Sequence, residues 1–357
     1  MLSKKIINWG VLMLMAVLLS ACGGPEQQNL SGQTMGTYYS IKYVADSSVS
    51  SPEKLQKEID RLLEEVNDQM STYRPNSELS RFNQSREVNK PFPVSAATAK
   101  VVKEAIRINQ LTDGALDVTV GPLVNLWGFG PEGRVTKAPT DEELVTRRAW
   151  IGIDKLSVEG NNLIKSIPEL YVDLSSIAKG YGVDVVAEYL TSQNIRNYMV
   201  DIGGEVRTSG NNGKGTPWRI AIEKPSDSGM TQSAQEILEP GEMAVATSGD
   251  YRNYFEQNGV RYSHTIDPKT GNPIRHNLVS ITVIAPTCMS ADGFSTGIDV
   301  LGPVKGMELA EKLNIPVFMI VKTKDGFEER YSPAFKHYLQ GKNNRLQGKN
   351  NELQQKK

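Results

Sequence analysis

The chain has 357 residues, of which 39% are hydrophobic and 23% are charged, an ordinary composition for a globular protein. Its 40 basic and 41 acidic side chains leave a formal net charge of −1. This balance argues against nucleic-acid binding, because such proteins normally carry a basic excess. The length allows one large domain or two lobes.

The first 22 residues have the pattern of a bacterial lipoprotein signal. Lys4 and Lys5 precede an apolar run over residues 6–19, too short to span a membrane comfortably, which ends in "LSAC". Cleavage before Cys22 and acylation of that cysteine would leave residues 1–21 as signal peptide and 22–33 as a lipidated tether. An ordinary signal peptide or a buried apolar helix is the alternative, but the polar segment after Cys22 favours the lipoprotein.

Helices and strands are predicted in an irregular order from residue 34 onward. Alternation over 34–44 predicts a half-buried strand, and an apolar stripe predicts a helix that begins near Pro52. Further helices are predicted over 96–111, after Thr140, and from the segment "DLSSIAKGYGVD" at 173–184. The later part of the chain is rich in strands that are separated by glycine and proline turns. This order predicts an α+β fold with mixed, largely antiparallel sheets and packed helices, rather than a regular βαβ series.

The expected domain covers residues 34–337. From residue 338 the sequence repeats "LQGKNN", which predicts a polar, low-complexity tail over 338–357.

Two segments in the first half of the chain combine aromatic and small polar residues. "MSTYRPNSELSRFN" at 70–83 is either a capped turn or a platform on which Tyr73 stacks against a planar ring. "DGALDVTVGPLVNLWGFG" at 113–130 is either a turn with a buried strand or a place where small residues let a ligand approach the backbone.

The segment at 173–184 follows an apolar run and opens a helix. Ser175 or Ser176 is the expected N-cap. One interpretation is simply a well-capped helix with Lys179 in solvent. The other is a phosphate site, in which hydroxyl and N–H groups face phosphate oxygens and Lys179 neutralises their charge.

Two segments in the second half carry groups suited to proton transfer and cation binding. His264, one of three histidines in the chain, lies in "SHTIDPKTGNPI" at 263–274. Asp292 and Thr296 lie four residues apart in "MSADGFSTG", so their oxygens share one face of a helical turn. A carboxylate, a hydroxyl and waters suit Mg²⁺, whereas the absence of a histidine or cysteine cluster disfavours zinc. A capped turn at Asp292 is the structural alternative.

Seven segments in this order resemble the ApbE-like FAD:protein FMN transferases, a family of bacterial lipoproteins. They are the four quoted segments that carry Tyr73, Asp113, Ser175 and His264, together with "DIGGEV", "SGDYRNYF" and "ADGFST". The resemblance covers nearly all of the chain after the tether. It implies a two-lobed fold with an FAD site in the cleft.

The resemblance also implies a reaction and a set of site residues. The FMN half of FAD passes to a serine or threonine hydroxyl of a target flavoprotein, AMP leaves, and Mg²⁺ sits on the pyrophosphate. His264 and Asp292 are the implied catalytic residues, and the implied metal ligands are the Ala178 carbonyl, Asp292 and Thr296. The implied flavin contacts are Met35, Tyr73, Asp113, Gly114, Ala115, Ser175, Lys179 and Ile266.

The sequence departs from the family pattern beside the metal aspartate. Gly293 and Phe294 follow Asp292, and Ser295 stands where some members have a further aspartate that would add a ligand. The family's targets are subunits of membrane respiratory complexes, which fits an exported, lipid-anchored enzyme at the periplasmic face of the inner membrane. The outer membrane is the alternative location.

Two other functions use the same residues. A Mg²⁺-dependent FAD pyrophosphatase would replace the protein hydroxyl with water and release free FMN. A flavin-binding lipoprotein would hold FAD without chemistry, and it would need neither His264 nor the pair of Asp292 and Thr296.

Overall fold

The computed structural model describes residues 26–45, 49–133, 135, 137–226, 229–249, 254–257 and 260–339. The predicted signal peptide, Cys22 and most of the predicted tail lie outside these residues. Within the part of the chain that is described, no helix is both long enough and apolar enough to cross a membrane.

An eight-stranded antiparallel sheet forms the centre of the fold. Its spatial order is β1-β2-β6-β7-β10-β13-β14-β15. The strands are β1 (Glu26–Thr34), β2 (Thr37–Ala45), β6 (Asn197–Ile202), β7 (Glu205–Ser209), β10 (Ala244–Ser248), β13 (Leu278–Ala285), β14 (Val317–Thr323) and β15 (Gly326–Tyr331). Three smaller sheets are formed by β3 (Phe92–Pro93), β4 (Leu156–Glu159) and β5 (Asn162–Lys165), by β8 (Ile220–Ser226) and β9 (Gly229–Leu238), and by β11 (Tyr254–Gln257) and β12 (Val260–Ser263).

The α-helices of the described residues are α1 (Pro52–Met70), α2 (Glu78–Gln84), α3 (Ala96–Leu111), α4 (Gly121–Leu126), α5 (Asp141–Arg148), α6 (Ala178–Ser192) and α7 (Cys288–Lys312). Four of these seven, α1, α3, α5 and α6, correspond to predicted helices. The Ser95 side chain caps α3, and Thr140 with Glu143 forms a capping box at α5. The α+β class, with antiparallel pairing and packed helices, is therefore confirmed.

Both faces of the central sheet are covered. Along β14, Val317, Met319 and Val321 face the helices α1, α3 and α7, whereas Phe318 and Ile320 pack with residues of β8 and β9. At the other end of the sheet, β1, β2 and β6 pack against α1 and α6. Since α6 and α7 both rest on the sheet, their N-terminal turns are held in fixed positions.

Both predicted domain boundaries differ from the structure. Residues 26–33, expected to belong to the tether, form strand β1, which pairs with β2 along its full length. At the other boundary, Tyr338 ends a short 3-10 helix and Leu339 is buried and bridges to Leu238. Polar composition suggested a tether because an edge strand buries few of its side chains: in β1 only Leu30 and Thr34 are buried.

Candidate active site

The first turn of α6 meets the first turns of α7 at a buried contact. The Gly180 N–H donates a 2.9 Å hydrogen bond to Oδ2 of Asp292. A Cβ atom at position 180 would lie 2.3 Å from the carbonyl oxygen of Cys288, so only glycine allows this approach. Asp292 is 3% exposed. Burial raises the pKa of its carboxyl group, while Lys179 and the Gly180 N–H act in the opposite direction.

The helix cap differs from the prediction. The N-cap of α6 is Ile177, without a side-chain hydrogen bond, so neither Ser175 nor Ser176 fills that position. The Asp173 carboxylate instead accepts a 2.9 Å hydrogen bond from the Ser175 N–H. Burial raises the pKa of Asp173, and its hydrogen bonds with Ser175 counteract this shift. The helix therefore begins one residue after the position that an N-cap at Ser176 would give, and Ser175 stays exposed.

Lys179 forms an ion pair that sequence reasoning missed. Its ammonium group bonds to Oε1 of Glu205, the first residue of β7. Gly203 and Gly204 have φ angles of 62° and 99°, and the turn they form places Glu205 opposite Ile202 in the β6–β7 hairpin. Burial lowers the pKa of Lys179, but the charges of Asp292 and Glu205 outweigh it and raise the pKa overall. Burial raises the pKa of Glu205 to about 7, against the effect of Lys179.

The residues implied as metal ligands provide oxygen atoms on two neighbouring helices. Ala178 begins α6, and Thr296 lies one turn after Asp292 on α7. The described residues contain no group of three histidine, cysteine, aspartate or glutamate side chains that could hold a metal ion. One buried carboxylate with a hydroxyl and a carbonyl fits Mg²⁺, which retains waters and binds through one or two carboxylates. The donor set does not fit a structural zinc site.

Ser295 has a structural role in place of the additional aspartate of some family members. It is fully buried, and its hydroxyl donates to the Asp292 carbonyl at 2.8 Å. A second contact joins it to the Ser248 hydroxyl at 2.7 Å. Ser295 therefore fixes the turn of α7 that presents Asp292.

Tyr73 and His264 are connected through Phe129. The Tyr73 hydroxyl donates to the Phe129 carbonyl at 3.1 Å, and the Phe129 ring meets the His264 ring edge to face, with centroids 6.5 Å apart. His264 is half-buried and lies just after β12 rather than inside a strand. Tyr73 is 66% exposed, so much of its side chain is available to a planar ligand.

The turn at Asp173 lies near Tyr73, as the electrostatics indicate. Partial burial raises the pKa of the Tyr73 hydroxyl, and the charge of Asp173 adds to this shift. A cavity of about 290 Å³ adjoins the same side chain, lined among others by Thr72, Asn83 and Tyr171. Asn83 fixes the backbone just before this turn, because its side-chain amide donates to the Val172 carbonyl and accepts from the Val172 N–H, both at 2.8 Å.

Asp113 and Gly114 form a left-handed turn next to the His264 segment. Their φ angles are 53° and 80°, and Ala115, which follows, is buried. Oδ2 of Asp113 lies 2.5 Å from the Lys269 ammonium group, which lowers the pKa of this exposed aspartate. Lys269 is a second residue that sequence reasoning missed.

The last two implied flavin contacts pack with different apolar clusters. Met35 occupies the β1–β2 turn with φ 50°, and its methyl group would be 2.8 Å from a Cβ on Gly182 of α6. Ile266 is buried in a cluster with Leu123 and Trp127. The Trp127 indole N–H donates to the Gly271 carbonyl at 2.9 Å, which ties that cluster to the turn after Ile266.

The site residues thus form two groups, and contacts join the members within each group. Ala178, Lys179, Asp292 and Thr296 lie where α6 meets α7. Tyr73, Asp113, His264 and Ile266 are joined through Phe129, Lys269 and the apolar cluster around Trp127. The fold and the site define an α+β protein with a buried, oxygen-rich site at a helix junction and an exposed aromatic surface.

Known proteins resemble this chain in sequence. A model of the ApbE family matches residues 35–319. A FAD:protein FMN transferase of Vibrio cholerae is 63% identical over 333 residues, 93% of this chain and 99% of the relative. One of Haemophilus influenzae is 53% identical over 345 residues, 95% of this chain and 99% of the relative.

Solved structures agree with the sequence relatives. The flavin transferase ApbE from Vibrio cholerae superimposes with a TM-score of 0.83 at 63% identity, covering 88% of this chain and 100% of the other. The apo form of the Pseudomonas stutzeri flavinyl transferase ApbE gives a TM-score of 0.82 at 40% identity, covering 88% and 98%. The chain belongs to the ApbE family.

Proposed function

We propose that this protein transfers the FMN moiety of FAD to a serine or threonine hydroxyl of a target flavoprotein. The observation that carries the proposal is the buried contact between the first turn of α6 and Asp292, which joins two segments more than 100 residues apart. The proposal is also supported by relatives of up to 63% identity that are named FAD:protein FMN transferase.

The reaction exchanges the phosphoanhydride bond between the two halves of FAD for a phosphoester bond to the acceptor. The acceptor hydroxyl oxygen attacks the phosphorus of the FMN half, the bond to the AMP phosphate breaks, and AMP leaves. His264 takes the hydroxyl proton, since a neutral imidazole accepts a proton at physiological pH. Tyr73 presents its exposed ring to the flavin, and Lys179, with the N–H groups of the first turn of α6, lies close to the phosphates.

A magnesium ion is part of the proposal. Asp292, Thr296 and the Ala178 carbonyl would hold it, and the remaining positions would be filled by water and phosphate oxygens. When bound, it neutralises charge on the pyrophosphate, and positioning with charge neutralisation accounts for most of the catalysis of phosphoryl-type transfer.

The N-terminal sequence pattern supports a proposed site of action in the cell. Acylation of Cys22 would anchor the enzyme to the periplasmic face of a membrane. The inner membrane is the expected one, and the expected acceptors are flavoprotein subunits in that membrane. Acyl chains on both the thiol and the amine of Cys22 would make this anchoring durable, because each chain buries many CH₂ groups in the bilayer.

The test is incubation with FAD, Mg²⁺ and a candidate acceptor protein, followed by measurement of the intact mass of the acceptor and of released AMP. A mass gain equal to FMN less one water, lost when acceptor serines and threonines are replaced, supports the transferase. Free FMN with AMP and an unmodified acceptor identifies a pyrophosphatase. Bound FAD without AMP release identifies a flavin-binding protein. Both of these outcomes contradict the proposal.

A further inference from the structure

Lys179 lies close to two buried carboxylates but pairs with one of them. The next residue, Gly180, donates its N–H to Asp292 at 2.9 Å, and the charges of Asp292 and Glu205 both raise the pKa of Lys179. Among the described residues, however, its ion pair is with Glu205. Asp292 uses Oδ2 to accept the Gly180 N–H.

Glu205 is held firmly enough to direct the lysine. Its side chain is 4% exposed, compared with 33% for Lys179. The glycine turn before it and the pairing with Ile202 fix its backbone in the β6–β7 hairpin. The flexible lysine therefore adapts to the rigid glutamate rather than the reverse.

A lysine ammonium at Asp292 would oppose a divalent cation there. Like charges a few ångströms apart repel strongly in a partly buried site, where water screens them weakly. The ammonium and the cation also compete for the same carboxylate oxygens. An ion pair that holds the ammonium at another carboxylate removes both effects.

We propose that Glu205 is a positioning residue that holds the Lys179 ammonium away from Asp292 and so leaves the Asp292 carboxylate available to the divalent cation. The inference rests on the proposed function, because it assumes a cation at Asp292. It adds a role for a residue that is not one of the implied ligands.

The second oxygen of Glu205 is consistent with this role. Oε2 is buried and has no hydrogen-bond partner among the described residues. Buried acceptors are normally satisfied, and the Lys179 ammonium carries three donors, so this oxygen offers it a second acceptor on the same carboxylate.

The experiment measures Mn²⁺ as a probe of the cation site, by electron paramagnetic resonance of the free ion, without FAD. In the Glu205→Gln variant the neutral amide no longer retains the ammonium, and we expect the Mn²⁺ dissociation constant to rise about 10- to 100-fold, as for residues that support metal ligands. In Lys179→Met the competing ammonium is gone, and we expect no loss of Mn²⁺ binding.

The double variant Glu205→Gln/Lys179→Met is the decisive measurement. It replaces both members of the buried pair with neutral side chains of similar size, so it is expected to fold even if the single glutamine variant does not. We expect its Mn²⁺ affinity to return to within about threefold of wild type, since removing both partners leaves no misplaced charge. A double variant that stays as weak as Glu205→Gln would show that Glu205 acts directly on the cation and would overturn the proposal.

Arg207→Gln is the matched control. Arg207 lies two residues further along β7 and pairs with Asp184 at 2.7 Å. The substitution therefore removes a neighbouring ion pair made by the same strand. We expect unchanged Mn²⁺ binding, and a loss equal to that of Glu205→Gln would contradict a specific role. A wild-type protein that binds no Mn²⁺ or Mg²⁺ would overturn the cation assignment itself. Normal wild-type binding with an unaffected Glu205→Gln variant would overturn this inference alone.

Discussion

At the scale of single residues, His264 and Asp292 have roles that substitution can separate. Asp292→Asn keeps an oxygen for the Gly180 N–H but loses the charge that would hold the cation. His264→Ala removes the proposed base, and we expect FMN transfer to fall about 10²- to 10⁴-fold with FAD affinity retained. Single-turnover transfer and flavin fluorescence titration measure the two quantities. Normal transfer by His264→Ala, with transfer abolished in Asp292→Asn, would show that His264 is not the base.

Lys165 joins the end of α2, at Ser85, to Leu170 in the segment before α6. Its burial should make the free energy of unfolding depend on pH. It is fully buried, and its ammonium group donates to the carbonyls of Ser85 at 3.0 Å and Leu170 at 3.1 Å. Burial lowers its pKa to about 8, below the value of about 10.4 expected in the unfolded chain. Between these values the unfolded state binds more protons, so this lysine makes the free energy of unfolding rise with pH.

We expect the contribution of Lys165 to increase by up to about 2 kcal/mol between pH 8 and pH 9.5. Urea unfolding at both pH values measures the increase, and Lys165→Met should remove it. Lys90→Met is the control, because Lys90 is exposed and pairs with Glu87, three residues away. An equal pH dependence in wild type and Lys165→Met would contradict the assignment.

At the scale of elements, the junction of α6 and α7 depends on a glycine. Gly180→Ala would place a methyl group against the rigid backbone at Cys288, so we expect the free energy of unfolding to fall by about 1–3 kcal/mol and Mn²⁺ binding to weaken. Gly182→Ala is the matched control on the same helix, since the closest contact of its Cβ would be the flexible end of Met35 at 2.8 Å, with the Ile202 side chain at an ordinary 3.5 Å. Thermal unfolding and Mn²⁺ titration compare the two. Equal behaviour of both variants would show that the junction tolerates a side chain.

The edge strand β1 should be required for a stable domain. It pairs with all of β2, and Leu30 lies in a buried cluster with Tyr39 and Ile41. A chain that begins at Thr34, the boundary predicted from composition, would leave an unpaired edge and an uncovered apolar patch. We expect it to unfold at lower temperature and to aggregate, in comparison with a chain that begins at Glu26. Identical melting curves would mean that β1 adds nothing to the fold.

Local signals predicted four of the seven helices in the described residues, whereas pairing across the chain could not be read from the sequence. The stripe from Leu55 to Met70 and the cap at Thr140 depend on neighbours within a few residues, and both helices form as predicted. The ion pairs of Lys179 with Glu205 and of Asp113 with Lys269 join segments 26 and 156 residues apart. No local pattern specifies such partners, so Glu205 and Lys269 were missed although the residues they contact were identified.

At the scale of the whole molecule, the proposed anchor leaves little chain between lipid and fold. Strand β1 begins at Glu26, so three residues separate it from Cys22, and they span at most about 11 Å when fully extended. A tether of that length would keep the domain next to the bilayer. Anchoring raises the effective concentration of the enzyme at acceptors in the same membrane, without any new contact between the two proteins.

Cys22→Ser, expressed with an ordinary cleavable signal peptide, tests the anchor and its purpose together. We expect the protein to move from the membrane fraction to the soluble periplasmic fraction. FMN transfer to a soluble acceptor should be unchanged, because Cys22 precedes the first described strand and every proposed site residue lies at position 35 or beyond. Transfer to a membrane-embedded acceptor should slow, since the two proteins would then meet only by diffusion in three dimensions. Membrane retention of Cys22→Ser would contradict the lipid anchor, whereas release with undiminished transfer to the embedded acceptor would contradict its proposed purpose.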